Sequence, residues 1–348
     1  MAATGRQGRR TVVTIRDVAG HARVAPATVS RVLAGDYPVA ARTRARVEKA
    51  IKDLGYVRNA HAQALRALST AVVGVIIHDV GDPHFSEVVA GIQEAAAASG
   101  RLVLLCNSLR DPRTEGRCLR MLRGQRVDAV IFTGGAIGDP VYLDDLQRQV
   151  EELLGQGGRV VMCGRPTDTA SAVLPDNRGG AYRLTCHLLD HGHSAIAEIK
   201  GSPLHSTTAD RSWGHHQALA ERGIAPDPDL SVSGGFNREG GYQAMRKLLD
   251  RGGFTAVAAA NDLMALGALA ALREVGLRVP DDMSLVGFGD IPAIRDIVPG
   301  ITTMRVPMRE LGRQSMSLAL ASGDERPRVM VLPVELVERE SVGPPALR

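Results

Sequence analysis

Arg31 stands with Ala27 and Ser30 on one face of a short helical stretch, and that combination suits the edges of bases in DNA. A guanidinium fork takes guanine O6 and N7 together, and a small side chain can touch the thymine methyl. The face follows from the spacing: Pro26 suits a first helical turn, where its missing N–H costs nothing, and Val29, Val32 and Leu33 then gather on the other side. Just upstream, Thr14 can cap a helix whose apolar positions Ile15, Val18, Ala19 and Ala22 fall at i, i+3, i+4 and i+7. Two short helices joined by a tight turn read as a helix-turn-helix that presents its second helix to a major groove.

A second set of polar residues ends the apolar runs of the long remainder. Runs at 72–77, 102–106, 129–132, 160–163, 195–199, 256–260 and 284–288 alternate with helical stretches, which implies parallel sheets covered on both faces. Two such sets without a long linker suggest two doubly wound subdomains. Ligands in open α/β sheets sit beyond the carboxyl ends of strands. Asp79 follows the first run, Asn107 the second, Arg165 the fourth, Asn261 and Asp262 the sixth, and Asp290 the seventh. Asp262 is equally placed to cap a helix over 263–273, and Asp176 and Asn177 suit the cap of a helix beginning near Gly180. Trp213 is expected in the core.

Charge is divided unevenly. Residues 1–70 carry thirteen Arg or Lys against four Asp or Glu, a net +9, and the whole chain is +4, so the remainder is −5. A nucleic-acid-binding head on an acidic body accounts for that asymmetry, with phosphate contacts expected among Arg42, Arg44 and Arg46. With 348 residues, 44% of them hydrophobic, the chain can form two or three packed domains. No apolar run reaches the roughly 18 residues of a membrane span, and residues 1–10 lack the apolar segment of a secretory signal, so a cytoplasmic protein without membrane partners is expected.

Other chemistries find little support. Cys106, Cys118, Cys163 and Cys186 show no CxxC spacing and read as buried thiols. Cys186, His187, His191 and His193 are close enough in sequence for a metal site, yet no metal or other cofactor is expected. A phosphate loop, a GxSxG elbow and a GxGxxG after a strand are all missing, so the chain reads as no enzyme. A sugar-binding receptor of similar body would need neither the basic head nor the cytoplasmic address. Residues 59–68 are rich in helix formers but shorter than the ~12–15 that an isolated helix needs. Paired across a dimer on DNA they would place Leu65 as a minor-groove wedge and Arg66 near the backbone. A flexible linker explains the same residues.

The ordered motifs decide between these. TIRDVAGHARVAPATVSRVLAG, GYVRNAHAQALRAL, GVIIHDVGDPHF, RVDAVIFTGG, the Pro175–Asn177 triplet, HLLDHGHSAIA, the run Arg211-Ser212-Trp213-Gly214, AANDLMALGALAALREVGLRVPDDMSLVGFGDIP, ITTMRVPMRELG and ELVERES together resemble the LacI/GalR family of transcriptional regulators over nearly the whole chain. The resemblance implies a periplasmic-binding-protein type I body crossed three times by the chain, and a hinge in which Leu65 intercalates into a near-palindromic operator. It implies DNA contacts from Thr14, Ala27, Thr28, Ser30, Arg31, Asn59, Ala62, Leu65 and Arg66. Arg211 matches the family's effector-binding Arg, and Phe85 would stack on a ligand or close the cleft, beside Asp79, Asn107, Arg165, Asn261 and Asp290. Expected partners are double-stranded operator DNA, a small-molecule effector and a second copy of the chain, as a dimer or a larger assembly.

Some positions depart from the family pattern. Ala25 replaces the usual hydroxyl cap, Arg58 a usual Pro, and Gly164 and Gly289 an Asp that grips hydroxyls in sugar-sensing relatives. Arg165 with Arg211 would suit a phosphate or carboxylate through bidentate pairing, so a sugar or an acidic sugar derivative is expected. The expected layout is a disordered basic tail at 1–11, the helix-turn-helix domain at 12–58, the hinge at 59–69 and the body at 70–345. Its two subdomains would be 70–168 with 303–325, and 169–302 with 326–345.

Overall fold

The computed structural model describes residues 13–35, 37–57, 70–135, 138–164, 169–321 and 326–346. Contacts divide the chain into two units, Met1–Leu68 and Ser69–Arg348. The expected tail, and the hinge residues Asn59, Ala62, Leu65 and Arg66, lie outside the described residues.

The first unit holds α1 (Ile15–Ala22), α2 (Pro26–Ala34) and α3 (Ala41–Leu54). Thr14 and Asp17 form a reciprocal capping box: the Asp17 carboxylate accepts the Thr14 N–H at 2.7 Å and the Asp17 N–H reaches Thr14 Oγ1 at 3.4 Å. No side chain caps α2, as Ala25 dictates, and Pro26 opens it. Val18, Ala19 and Ala22 meet Val29, Val32, Val47 and Ala50 in a small core of its own.

The second unit contains two six-stranded sheets. The strands are β1 (Val72–Ile77), β2 (Leu102–Asn107), β3 (Ala129–Phe132), β4 (Arg159–Met162), β5 (Ser171–Pro175), β6 (Ile196–Lys200), β7 (Ser231–Ser233), β8 (Ala256–Ala259), β9 (Ser284–Gly289), β10 (Thr302–Arg305), β11 (Val329–Leu332) and β12 (Glu335–Val337). One sheet runs β11-β5-β4-β3-β1-β2, parallel throughout; the other runs β12-β10-β9-β8-β6-β7, parallel except where β12 meets β10. The central strands β1, β3 and β9 are almost continuously apolar and buried, as sheets covered on both faces require.

The helices are α4 (Pro83–Ala98), α5 (Pro112–Gly124), α6 (Pro140–Gly155), α7 (Asn177–Asp190), α8 (Ser206–Glu221), α9 (Arg238–Arg251), α10 (Asp262–Glu274) and α11 (Met308–Leu320). Three pairs, α4 with α11, α7 with α8 and α9 with α10, pack closely. Glycine permits that approach: a Cβ on Gly91 would lie 2.0 Å from the Arg309 carbonyl oxygen, and one on Gly267 2.0 Å from that of Arg238.

The sheets correct the expected subdomain boundaries. β5 and β11 belong to the first lobe, whereas β10 belongs to the second. The chain therefore crosses after Pro175, between Arg305 and Met308, and between Leu332 and Glu335, rather than near 168, 302 and 325. Three crossings occur, as expected. β5 and β11 are short, half-buried strands beside the sheet edge, and nothing in an isolated run says which sheet it joins.

Candidate functional site

On the head, α2 turns Val29 and Val32 inward and leaves Ala27 and Arg31 exposed, with Thr28 and Ser30 half-buried beside them. The Arg31 guanidinium lies 5.4 Å from the centroid of the exposed Tyr37 ring, an aromatic neighbour that the sequence did not single out. Thr14 spends its hydroxyl on Asp17 at 2.7 Å. Arg46 is engaged as well, donating to the Arg23 carbonyl at 3.3 Å across the small core.

In the body, a cavity of about 400 Å³ opens where the strands of both lobes end. Its wall includes His78, Asp82, His84, Phe85, Arg110 and Thr133 from the first lobe and Asn177, Arg178, His205, Asp210, Arg211, Phe236, Asn261 and Asp262 from the second. Arg211 is the most firmly held of these. Its Nε donates to Asn177 Oδ1 at 3.0 Å, Nη1 donates to the Ala260 carbonyl, and the guanidinium lies 3.8 Å from the Phe288 ring centroid. Burial pushes its pKa down to about 9, against the opposing pull of Asp262, Asp82 and Asp210, so it remains a cation at neutral pH.

Asn261 also lines the cavity, but both ends of its amide are engaged: Oδ1 caps α10 through the Met264 N–H at 2.9 Å, and Nδ2 donates to the Phe236 carbonyl at 3.2 Å. Asp262, the first residue of α10, is buried and accepts from the Ile291 N–H at 2.9 Å and the Thr303 hydroxyl at 2.7 Å. Burial raises its pKa to about 6. Asp176 caps α7 through the Gly179 N–H, as the sequence suggested. Phe85 is in the wall beneath Arg110, and Gly164 and Gly289 line the cavity where carboxylates would otherwise project.

Three expected contacts fall elsewhere. Asp79 pairs with Arg110 at 3.1 Å and turns outside the wall. Asn107 ends the edge strand β2 in register with Ile77 but is not in the wall; among the described residues its Oδ1 accepts the Leu109 N–H at 3.3 Å. Asp290, whose side chain is fully buried, gathers Arg295, Arg305 and Arg339 instead of facing the cavity. Arg165 lies outside the described residues. Trp213 is half-exposed rather than core, under the Arg178 guanidinium at 5.2 Å. His193 is held by Thr255, Ser284 and the Gly343 carbonyl, a structural role.

Sequence reading passed over the histidines of the cavity. His78 directly follows β1, one residue before the Asp79 that was chosen for its charge. Glu115, buried on α5, reaches His78 Nε2 at 3.5 Å and accepts from the Tyr142 hydroxyl. His205 lies edge-on to His78 and Phe236, each at 5.7 Å, and neither of its buried ring nitrogens has a partner among the described residues. No periodicity marks it, because it sits in the loop before α8.

The relatives follow this architecture. The family model for bacterial regulatory proteins of the lacI family matches residues 14–59, and that for a periplasmic binding protein-like domain matches residues 185–342. The chain is 36% identical over 342 residues to the HTH-type transcriptional regulator GalR of Escherichia coli (strain K12), covering 97% of each. This protein belongs to the LacI family of transcriptional regulators. Another member, the HTH-type transcriptional repressor PurR of Histophilus somni (strain 129Pt), is 34% identical over 95% of this chain and 99% of its own. Two solved structures are similar. The lac repressor dimer bound to operator and the anti-inducer ONPF has a TM-score of 0.84 at 28% identity, covering 96% of this chain and 100% of its own. The transcriptional regulator CelR in complex with cellobiose has a TM-score of 0.69 at 32% identity, covering 94% and 99%. The LacI-family body thus has the type I periplasmic-binding-protein architecture.

The cavity histidines give this LacI-family regulator a pH dependence whose sign can be worked out. His84, His205 and, behind the wall, His215 are each held near pKa 4, chiefly by burial. Unfolded, they titrate near 6.5, so between pH 6.5 and 4 the unfolded chain binds more protons and stability falls as the pH falls. Asp262, raised to about 6, acts oppositely and gains stability as pH falls through 6. At ~1.36 kcal/mol per pKa unit, the three histidines each lose about 2 kcal/mol from pH 7 to 5, against about 1 kcal/mol from Asp262. Thermal melts should therefore show a lower Tm at pH 5 than at pH 7; an equal or higher Tm refutes the assignment.

Proposed function

We propose that the protein is a cytoplasmic, homodimeric repressor whose affinity for near-palindromic operator DNA is set by an uncharged sugar or sugar derivative in the cleft. The cavity carries this reading. Its volume lies within the ~300–1,000 Å³ usual for small-molecule sites, and Arg211 is braced at its wall by Asn177 and Phe288.

The charge balance favours a neutral ligand. Arg110, Arg178 and Arg211 face Asp82, Asp176, Asp210 and Asp262, and each carboxylate already holds a protein partner. Among the described residues the wall thus carries four carboxylates against three guanidiniums, and an anion would add to that excess of negative charge, so the acidic alternative loses ground. The complex of CelR with cellobiose supports a sugar, and the operator-bound lac repressor dimer supports the DNA and dimer parts of the reading.

In this reading α2 enters the major groove with Ala27, Thr28, Ser30 and Arg31, and Asn59, Ala62, Leu65 and Arg66 form the hinge. Ligand binding shifts the closure equilibrium by preferring one state, by about 1–3 kcal/mol. A thermal-shift panel tests the ligand class on the full-length protein. Neutral mono- and disaccharides should stabilise it, while uronates, sugar phosphates and nucleobases should not. Stabilisation confined to nucleobases or to anions overturns the proposal.

A further inference from the structure

Asp290 is surplus to the ligand wall, yet its carboxylate pairs with three guanidiniums. Its Oδ2 accepts from Arg305 Nε at 2.7 Å and Arg295 Nη2 at 3.1 Å, and its Oδ1 accepts from Arg339 Nη2 at 2.5 Å. The backbone there is left-handed, with φ +63°, a conformation uncommon for residues other than glycine though less so for Asp. Neutralising one buried carboxylate does not require three guanidiniums.

The positions of two partners explain the excess. Arg305 is the last residue of β10, immediately before the chain crosses to the first lobe, and its Nη1 continues to Glu335 at 3.3 Å. Glu335 is the first residue of β12, immediately after the chain returns. Arg339 binds the Ile301 carbonyl at 2.7 Å, and its N–H donates to Thr302 Oγ1 at 2.9 Å, tying the segment after β12 to the start of β10. Two of the three crossovers are thus fastened at their second-lobe ends. Val306 is held as well, by the Gly289 carbonyl at 3.2 Å, and Val334 by Arg183 at 3.1 Å, so what remains between the fastened ends and the first lobe is Pro307 on one crossover and Pro333 on the other, each with its φ fixed.

On the other side, Asp290 adjoins the cavity. Ile291, its neighbour in sequence, lines the wall and donates its N–H to Asp262. We propose that Asp290 is a hinge clasp: by holding Arg305, Arg339 and, through Arg305, Glu335, it stiffens the second-lobe ends of two of the three crossovers and so restricts how freely the lobes open. Asp290 is thereby a positioning residue for the regulatory response, acting through the crossovers and not on the ligand. The regulatory consequence rests on the cleft being the effector site. The closure itself can be measured without any ligand, so the two readings fail separately.

A contact across the cleft mouth reports closure. The Gly138 N–H, from the first lobe, donates to the Leu204 carbonyl of the second at 2.6 Å. Amide hydrogen exchange on the unliganded full-length protein, read by mass spectrometry, would follow the peptide containing Gly138 alongside peptides from β1 and β9. Asp290→Asn should speed exchange at Gly138 at least tenfold while β1 and β9 keep their protection. Arg305→Gln, altering a side chain that is 47% exposed and so little threat to folding, should act in the same direction even if Asp290→Asn does not fold. Arg305→Lys, which retains the charge, should recover most of the protection. Unchanged exchange at Gly138 in Arg305→Gln, or loss of protection in β9 and β10 together with Gly138, overturns the clasp; the second outcome would make Asp290 only a support for its own strand.

Discussion

Arg211→Ala should weaken the stabilising sugar's binding at least about 100-fold and abolish its effect on DNA affinity, while operator affinity without ligand changes by no more than a few-fold. The estimate follows from what the guanidinium does. Charge-assisted hydrogen bonds are worth about 1.5–3 kcal/mol each, and a factor of 100 needs about 2.7 kcal/mol. One or two such bonds to a ligand hydroxyl therefore suffice. Part of the loss is indirect: without the side chain, Asn177 Oδ1 and the Ala260 carbonyl lose their donor and the face of Phe288 is uncovered. An orphaned buried acceptor costs about 1–3 kcal/mol, which a body with a core of this size should survive. Arg211→Lys separates charge from shape, because an ammonium cannot reach both acceptors and present a fork; it should rescue little. Titration calorimetry with that sugar, paired with gel shifts on an inverted-repeat site selected from random duplex, reads both halves. A variant that binds and responds normally would remove Arg211 from the site.

What could be read beforehand divides along physical lines. α1 and α2 were legible because a 3.6-residue apolar period over eight or nine residues leaves one stripe to bury, and Val18, Ala22, Val29 and Val32 are indeed buried. β1, β3 and β9 were legible as unbroken apolar runs. β5, β7, β11 and β12 were not: they are three to five residues long, lie at or beside sheet edges and, β5 apart, hold no buried residue, so no run stands out. The crossovers depend on which sheet accepts each of those strands, a long-range choice that leaves no local mark. The same limit governed the site. Strand ends led to Asn261, which lines the cavity, but Asn107 ends an edge strand, and Asp290 faces the crossovers, facts that only the strand order supplies. His205 and Phe236 come from loops and carry no periodic signal.

Arg31→Ala should flatten base preference more than it lowers affinity. A bidentate Arg–guanine pair discriminates against the wrong base by about 1–3 kcal/mol, so the ratio between the best site and one altered at the contacted pair should fall about 5- to 150-fold. The slope of log affinity against log salt should change by less than about one, because that slope counts phosphates neutralised and Arg31 is assigned to a base. Before DNA arrives, the guanidinium rests over Tyr37 at 5.4 Å. An exposed cation–π contact is worth about 0.5–1 kcal/mol, less than the pair with guanine, so the side chain leaves the ring when the groove offers O6 and N7. Specificity should therefore depend heavily on this one residue. Pro26 and Ala27 have no side-chain donor, and Ala25 gives α2 no cap, a device worth about 1 kcal/mol elsewhere. The helix is held instead from beneath, by Val29 and Val32 packed in the head's core. Removing Arg31 should therefore leave α2 in place, with unchanged circular dichroism and an unchanged melt. Base preference retained in full by Arg31→Ala would mean that the reading is done by methyl contacts or by the hinge.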